Sequence, residues 1–355
     1  MKFSTFHLFH RFAGQSVREV YDHQFQLIDL AEELGFDGVW LAEHHFRDYG
    51  VAPSIFTMLS HVAARTQRLR LGTGIVVLPL HNPIHVAEET AQVDVLSGGR
   101  LEFGVGRGYQ SAEFDGFGIS LSEARDRFDE ALEVILGLWT QQDFRHKGRF
   151  YRVGDGDPVN LMPRPLQRPH PPVHVAAVSP QTVRLCAARG LPILADPGAP
   201  FRKIASAAQT WRELATAHGH DPHAAELVVG RSVYVARSDD QARADQARFD
   251  RFADRPEIFT AADRTTGTGP GPAGGGAVPR HQERHHADGS AGADFRWEQL
   301  EVIGDPERVI GQVRMLADFG YRNLMCDFGS TRPIPIEETK KVMRLFAAEV
   351  IPAFR

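Results

Sequence analysis

The feature that most narrows the fold of this chain is an alternation. Short apolar runs trade places with amphipathic segments from one end to the other. Strands are expected over 2–9, 38–42, 69–77, 101–105, 173–178, 191–194, 227–236 and 321–326. Between and after them come helical patterns at 16–34, 54–65, 83–98, 123–139, 180–189, 201–218, 239–253, 306–319 and 337–348. Near-continuous apolar strands such as Val39-Trp40-Leu41-Ala42 suit a sheet covered on both faces. Strands that alternate with helices, with no hairpin signal in the first four units, call for a parallel sheet. Eight of them point to a (β/α)8 TIM barrel, although the pattern alone also admits an open sheet.

Local signals agree. Ser16 is placed to cap the first helix, with Glu19 as its capping-box partner and Gly35 as the C-terminal glycine. In the third helix Ile84, Ala87, Ala91 and Val95 are expected to face inward. The fourth should bury Phe128, Ala131, Leu132, Ile135 and Trp139. A single domain over 1–355 is expected, with two interruptions. Residues 140–172 carry six prolines and read as an irregular insertion. Residues 265–293 are rich in Gly and His and hold too little apolar surface to offset the entropy of ordering. That stretch is expected to be a mobile loop, either a lid or an insertion without a role.

Composition removes several classes of function. A formal charge of -5 with no basic block gives no reason to expect nucleic acid. No apolar run approaches the ~20 residues that cross a bilayer, so no membrane association is expected. Two cysteines, Cys186 and Cys326, form no disulfide framework and suit a reducing, cytoplasmic setting.

The chemistry-bearing residues gather where strands end. Glu43-His44-His45 follows the second strand. Adjacent strand residues point to opposite faces, so the two imidazoles cannot share a metal while extended, and no metal is expected. A single imidazole near neutrality is suited to moving a proton, so one of His44 and His45 is the catalytic candidate. Gly104-Val105-Gly106-Arg107-Gly108 lacks the spacing of a dinucleotide loop but offers close backbone approach and a guanidinium fork for phosphate. Val178-Ser179-Pro180-Gln181-Thr182 opens a helix after the fifth strand. Ser179 is a natural cap there, and the free N–H groups favour an anion. In a barrel Arg107 and Ser179 come together, and the pair would hold a phosphate. Phe114, Phe117 and Trp297 suggest an apolar or aromatic guest, or simply packing.

Taken in order, Gly35–Phe46, Leu71-Gly72-Thr73-Gly74, His85–Glu88, Asp94–Arg100 and Phe103–Tyr109 resemble the bacterial luciferase-like family of flavin-dependent monooxygenases. The resemblance covers nearly the whole chain. It implies FMN as cofactor, bound as FMNH2 from a separate flavin reductase. O2 would be activated as a flavin C4a-peroxide to oxygenate a small organic substrate, and a homodimer is implied too. His44 matches the family's catalytic histidine, with Glu43 and His45 as its supports, and Arg107 the phosphate-binding arginine. Val178, Ser179 and Thr182 match the helix start that completes the phosphate site. Thr73-Gly74-Ile75 matches the segment under the flavin ring, where the family often has a non-prolyl cis peptide. One departure stands out: the reactive-cysteine position of luciferase is Gly106 here, which argues against aldehyde-luciferase activity. The alternatives are a deazaflavin (coenzyme F420)-dependent oxidoreductase and a non-catalytic flavin-binding subunit.

Overall fold

A computed structural model describes residues 1–253 and 289–355, with side chains over 1–250 and 292–355. Eight parallel strands close into a barrel: β1 (Lys2–His7), β2 (Gly38–Leu41), β3 (Arg70–Thr73), β4 (Leu101–Gly106), β5 (Val173–Ala177), β6 (Ile193–Ala195), β7 (Val228–Val235) and β8 (Asn323–Asp327). Each pairs with the next, and β8 returns to β1 through Lys2↔Asn323 and Phe3↔Leu324. The eight expected strands are the eight barrel strands, and the closed barrel replaces the open-sheet alternative.

The helices form the outer layer: α1 (Val17–Leu34), α2 (Ile55–Arg65), α3 (Pro83–Leu96), the short α4 (Ser111–Gly116), α5 (Ala124–Thr140), α6 (Pro180–Ala188), α7 (Phe201–Ala217), α8 (Asp239–Ala253), α9 (Gly289–Gln299), α10 (Pro306–Asp318) and α11 (Ile336–Leu345). The expected capping box at Ser16 and Glu19 is formed, and Gly35 closes α1 at φ 81°. The α3 face is rotated from the expected one. Val86, Ala87, Thr90, Ala91, Val93 and Asp94 are buried, while Val95 is 45% exposed. Asp94 turns inward because its carboxylate accepts from Gln167 N–H (2.9 Å) and from the Gln167 amide (2.7 Å), which satisfies a buried charge.

Inside the barrel, alternate side chains build a packed interior rather than a channel. Trp40 meets Leu194, Val228 and Met325 there. Gly72 makes room for it, since a Cβ at that position would lie 2.2 Å from the Trp40 ring. The 140–172 stretch includes a small antiparallel hairpin, His146–Lys147 against Arg152–Val153, and cis peptides before Pro163 and Pro169. A further strand, Val302–Gly304, extends β7 beyond the barrel. Of the loop expected over 265–293, residues up to 288 lie outside the described residues, and 289–293 open α9. Among the described residues, no helix is long and apolar enough to cross a membrane.

Candidate active site

All the candidate residues stand at the C-terminal ends of β2 to β5, the end where barrels of this kind place their loops. They fall into two groups. The first surrounds His44, just past β2. Its Nδ1 lies 3.0 Å from Glu113 Oε1, on α4, and the same oxygen accepts from His45 N–H at 3.0 Å. The Gln110 Nε2 also lies 3.0 Å from Nδ1. A carboxylate can only accept, so the buried Glu113 takes the Nδ1 proton, which requires the Gln110 amide to turn its oxygen to this side. Nε2 makes no hydrogen bond among the described residues and is left for a bound group. Tyr49 packs edge-on to the imidazole, with centroids 4.8 Å apart.

Glu43 and His45 are not the supports of His44 that the sequence suggested. The Glu43 side chain is fully buried and faces another way. Its Oε1 accepts from His45 Nε2 (2.9 Å) and from His81 Nε2 (2.7 Å), and its Oε2 lies 3.4 Å from Val77 N–H. Burial alone would raise the Glu43 carboxyl, but the bonds and charge of His45 and His81 hold it below the ordinary range. Burial lowers His81, yet its hydrogen bond to Glu43 and the Glu43 charge raise it above the ordinary value. The donor atoms of Glu43, His45 and His81 lie within 4.8 Å of one another and could hold a metal ion. In this structure they are spent on one another. His81 comes from a separate loop, so no spacing in the sequence announced it.

The second group is cationic. Arg107 follows β4, and among the described residues its guanidinium has no hydrogen-bonding or carboxylate partner. Burial and then the charge of Arg125 lower its pKa. Arg125, near the start of α5, donates to Thr182 Oγ1 at 2.8 Å. Ser179 caps α6 by accepting from Thr182 N–H (3.3 Å), and the two hydroxyls are 3.0 Å apart. Two guanidiniums beside a helix N-terminus, with no acid among them, could hold a doubly charged phosphate. The sequence reading missed Arg125, which begins a helix distant in sequence from both strand ends. Val178, at the edge of this group, is 43% exposed.

Between the groups lies the segment after β3. The Gly74–Ile75 peptide is cis. The register to β4 slips by one residue between Gly72↔Glu102 and Val76↔Val105. Thr73 fills the gap: its hydroxyl donates to Gly104 O (2.6 Å) and accepts from Gly104 N–H (2.8 Å). Its side chain is therefore fully engaged with the backbone. Ile75 extends across Gly106, where a Cβ would come within 2.1 Å of Ile75 Cδ1. The position that luciferase gives to a cysteine is thus filled by Ile75. Of the aromatic residues singled out, Phe114 and Trp297 are buried packing residues, while Phe117 is 41% exposed. Phe117 packs against Phe46, which is 67% exposed and holds a φ of 63°. A positive φ is uncommon for a residue other than glycine and marks a constrained position at the rim. A cavity of about 280 Å3 lies behind β1, lined by His7, His10, Gln24 and Ser330 among others.

Comparison with known proteins bears on the family and the fold. Residues 1–323 match the family described as luciferase-like monooxygenase. An uncharacterized protein of Sinorhizobium fredii is 41% identical over 184 residues, a match that spans 52% of each chain. The oxygenase component of a flavin-dependent trigonelline monooxygenase from Acinetobacter baylyi is 27% identical over 100% of this chain and 96% of its own. Among solved structures, the monooxygenase RslO1 from Streptomyces bottropensis superposes with a TM-score of 0.82 at 28% identity, over 100% of both chains. The same fold is shared by the oxygenating constituent of 3,6-diketocamphane monooxygenase from Pseudomonas putida, in complex with FMN (TM-score 0.75, 17% identity, 99% and 98% covered). An F420-dependent secondary alcohol dehydrogenase shares it too (TM-score 0.74, 18% identity, 100% and 99% covered). The chain belongs to the luciferase-like monooxygenase family, a class of flavin-dependent oxidoreductases.

Proposed function

We propose that this chain is the oxygenase component of a two-component monooxygenase, acting on a small organic substrate with reduced FMN delivered by a separate flavin reductase. One observation carries the reading: a phosphate-sized cluster of unneutralised charge (Arg107 and Arg125 at the cap of α6) and an oriented imidazole with an open Nε2 occupy one barrel mouth. The residues present fit the cofactor. Arg107, Arg125, Ser179 and Thr182 would bind its phosphate, and Gly74 and Ile75 would lie under its ring. When bound, reduced FMN supplies the electrons that activate O2.

The chain's own work is then positional. Glu113 fixes the proton of His44 on Nδ1, so Nε2 can accept or return a proton at the reacting atoms. The packed Trp40 layer closes the barrel beneath the site and keeps water from entering there. The oxygenase-component relative supports an outside source of reduced flavin. Val95 (45% exposed) and Leu96 (61% exposed) at the end of α3 offer apolar surface for the homodimer that the resemblance implies.

The test is anaerobic titration with reduced FMN and, separately, with reduced deazaflavin. Saturable binding of FMN is expected. Arg107→Ala should weaken it by about 1.5–3 kcal/mol, roughly ten- to hundredfold, as for a lost bond between charged groups. Binding of the deazaflavin in preference to FMN would instead support the deazaflavin-dependent reading.

A further inference from the structure

Glu43, His45 and His81 form a cluster that the proposed reaction leaves unused. Glu43 and His45 follow β2, while His81 follows the short turn Leu78–Leu80, just before α3. The Glu43 side chain has no exposed surface, and both imidazoles meet it at one atom, Oε1, at 2.9 and 2.7 Å. A buried carboxylate is ordinarily paired with a cation or coordinates a metal. Among the described residues the groups that offset the burial of Glu43 are His45 and His81, with no arginine or lysine. A divalent ion held by all three would supply that positive charge directly.

The geometry suits one. Oε1 and the two Nε2 atoms all lie within 4.8 Å of one another. Ligands at about 2.0–2.2 Å from a tetrahedral ion stand roughly 3.3–3.6 Å apart, so small side-chain rotations that open the two hydrogen bonds admit it. His45 is the fixed ligand: its ring meets Phe117 edge-on at 4.9 Å, and its N–H is held by Glu113 at 3.0 Å. His81 is the adjustable one. Its side chain is 28% exposed, which gives an ion a way in and leaves the remaining coordination position to water. Two imidazole nitrogens and one carboxylate oxygen suit a zinc-class ion, with too few oxygens for calcium. Strand alternation separates His44 from His45 and removes that pair as a chelate, but His45 finds its partner in His81 instead.

We propose that Glu43 Oε1, His45 Nε2 and His81 Nε2 bind one divalent transition-metal ion of the zinc class. The ion replaces the hydrogen bonds within the cluster. Each neutral imidazole then carries its proton on Nδ1 and turns its Nε2 lone pair to the metal. The bound ion ties the end of β2 to the segment that follows the cis peptide. His44 answers to Glu113 and Gln110 and is no ligand, so the site stands apart from the proposed proton transfer and does not depend on the flavin reading.

The test uses Zn2+ alone, added without flavin to the untagged full chain after a chelator has been applied and removed. Calorimetry should show saturable binding of a first equivalent. X-ray absorption at the zinc edge of the parent should show nitrogen and oxygen neighbours at ~2.0–2.2 Å, with the scattering pattern of two imidazoles. Loss of an outer partner already costs metal sites about 10–100-fold, so His81→Ala and Glu43→Gln, each removing a ligand, should weaken binding by about 10²-fold or more. His85→Ala, which alters an exposed histidine on α3, should leave the affinity unchanged. A chain carrying His281→Ala, His285→Ala and His286→Ala together should also keep the first equivalent. Absence of saturable binding would overturn the proposal, as would fewer than two imidazoles at the zinc. Loss of the first equivalent in the triple variant, with His81→Ala unaffected, would place the metal elsewhere and overturn it too. The absorption spectrum of the parent decides the matter even if His81→Ala or Glu43→Gln fails to fold.

Discussion

Glu113 decides what His44 can do. Its Oε1 accepts both the His45 N–H and the His44 Nδ1–H, so it fixes the ring's position and its tautomer together. Glu113→Ala removes this shared acceptor. Nδ1 then loses the group that holds its proton there, the Gln110 amide can donate to Nδ1, and the proton moves to Nε2. The protein should lose about 1–3 kcal/mol of stability for the His45 N–H left without an acceptor, and activity about 10²-fold or more, as expected when a general base carries its proton on the wrong nitrogen. Nitrogen NMR of His44 checks the tautomer: Nδ1–H in the parent, Nε2–H in the variant. A variant with the parent's tautomer and rate would remove Glu113 from this role. Nothing near His44 in sequence pointed to Glu113, because a helix of six residues after β4 delivers it across the mouth.

At the scale of elements, the Glu43–His45–His81 cluster ties the end of β2 to the segment that follows the cis peptide. Glu43 bridges His45, beside His44, to His81 and to Val77 N–H. The two halves of the proposed flavin bed are thereby joined by one buried carboxylate. The sign of the pH effect follows from His81. Its folded-state pKa lies above the unfolded value of 6.5, so its pairing with Glu43 stabilises fully below that value and is lost as the pH rises through the folded pKa. A double-mutant cycle with Glu43→Gln and His81→Ala, followed by denaturant unfolding, should give a coupling energy that shrinks with rising pH above the ordinary histidine range. A coupling that grows over that interval would contradict the assignment. The expected inward face of α3 failed for a related reason. Asp94 finds buried partners in Gln167, and a polar residue with partners displaces Val95 from the core.

For the molecule as a whole, the barrel strands were legible because each is buried on both sides and reads as an apolar run. The parts that escaped notice are short or weakly patterned: α4, the two-residue pairs of the hairpin, Val302–Gly304, and an α9 that opens on glycine. His44, Arg107 and Ser179 could be found because strand ends in such a barrel converge. Arg125, His81 and Glu113 could not, since helix packing and loop paths aim them. Assembled, these residues place two guanidiniums at a helix cap and an oriented imidazole on one rim, and we propose that reduced FMN bridges the two. Rapid mixing of O2 with the anaerobic protein–FMNH2 complex tests that claim most directly. The parent should show a transient absorbing near ~380 nm before oxidised flavin appears, and His44→Ala should lose most of it while still binding reduced FMN. Immediate conversion to oxidised flavin in the parent, or an undiminished transient in His44→Ala, would contradict it.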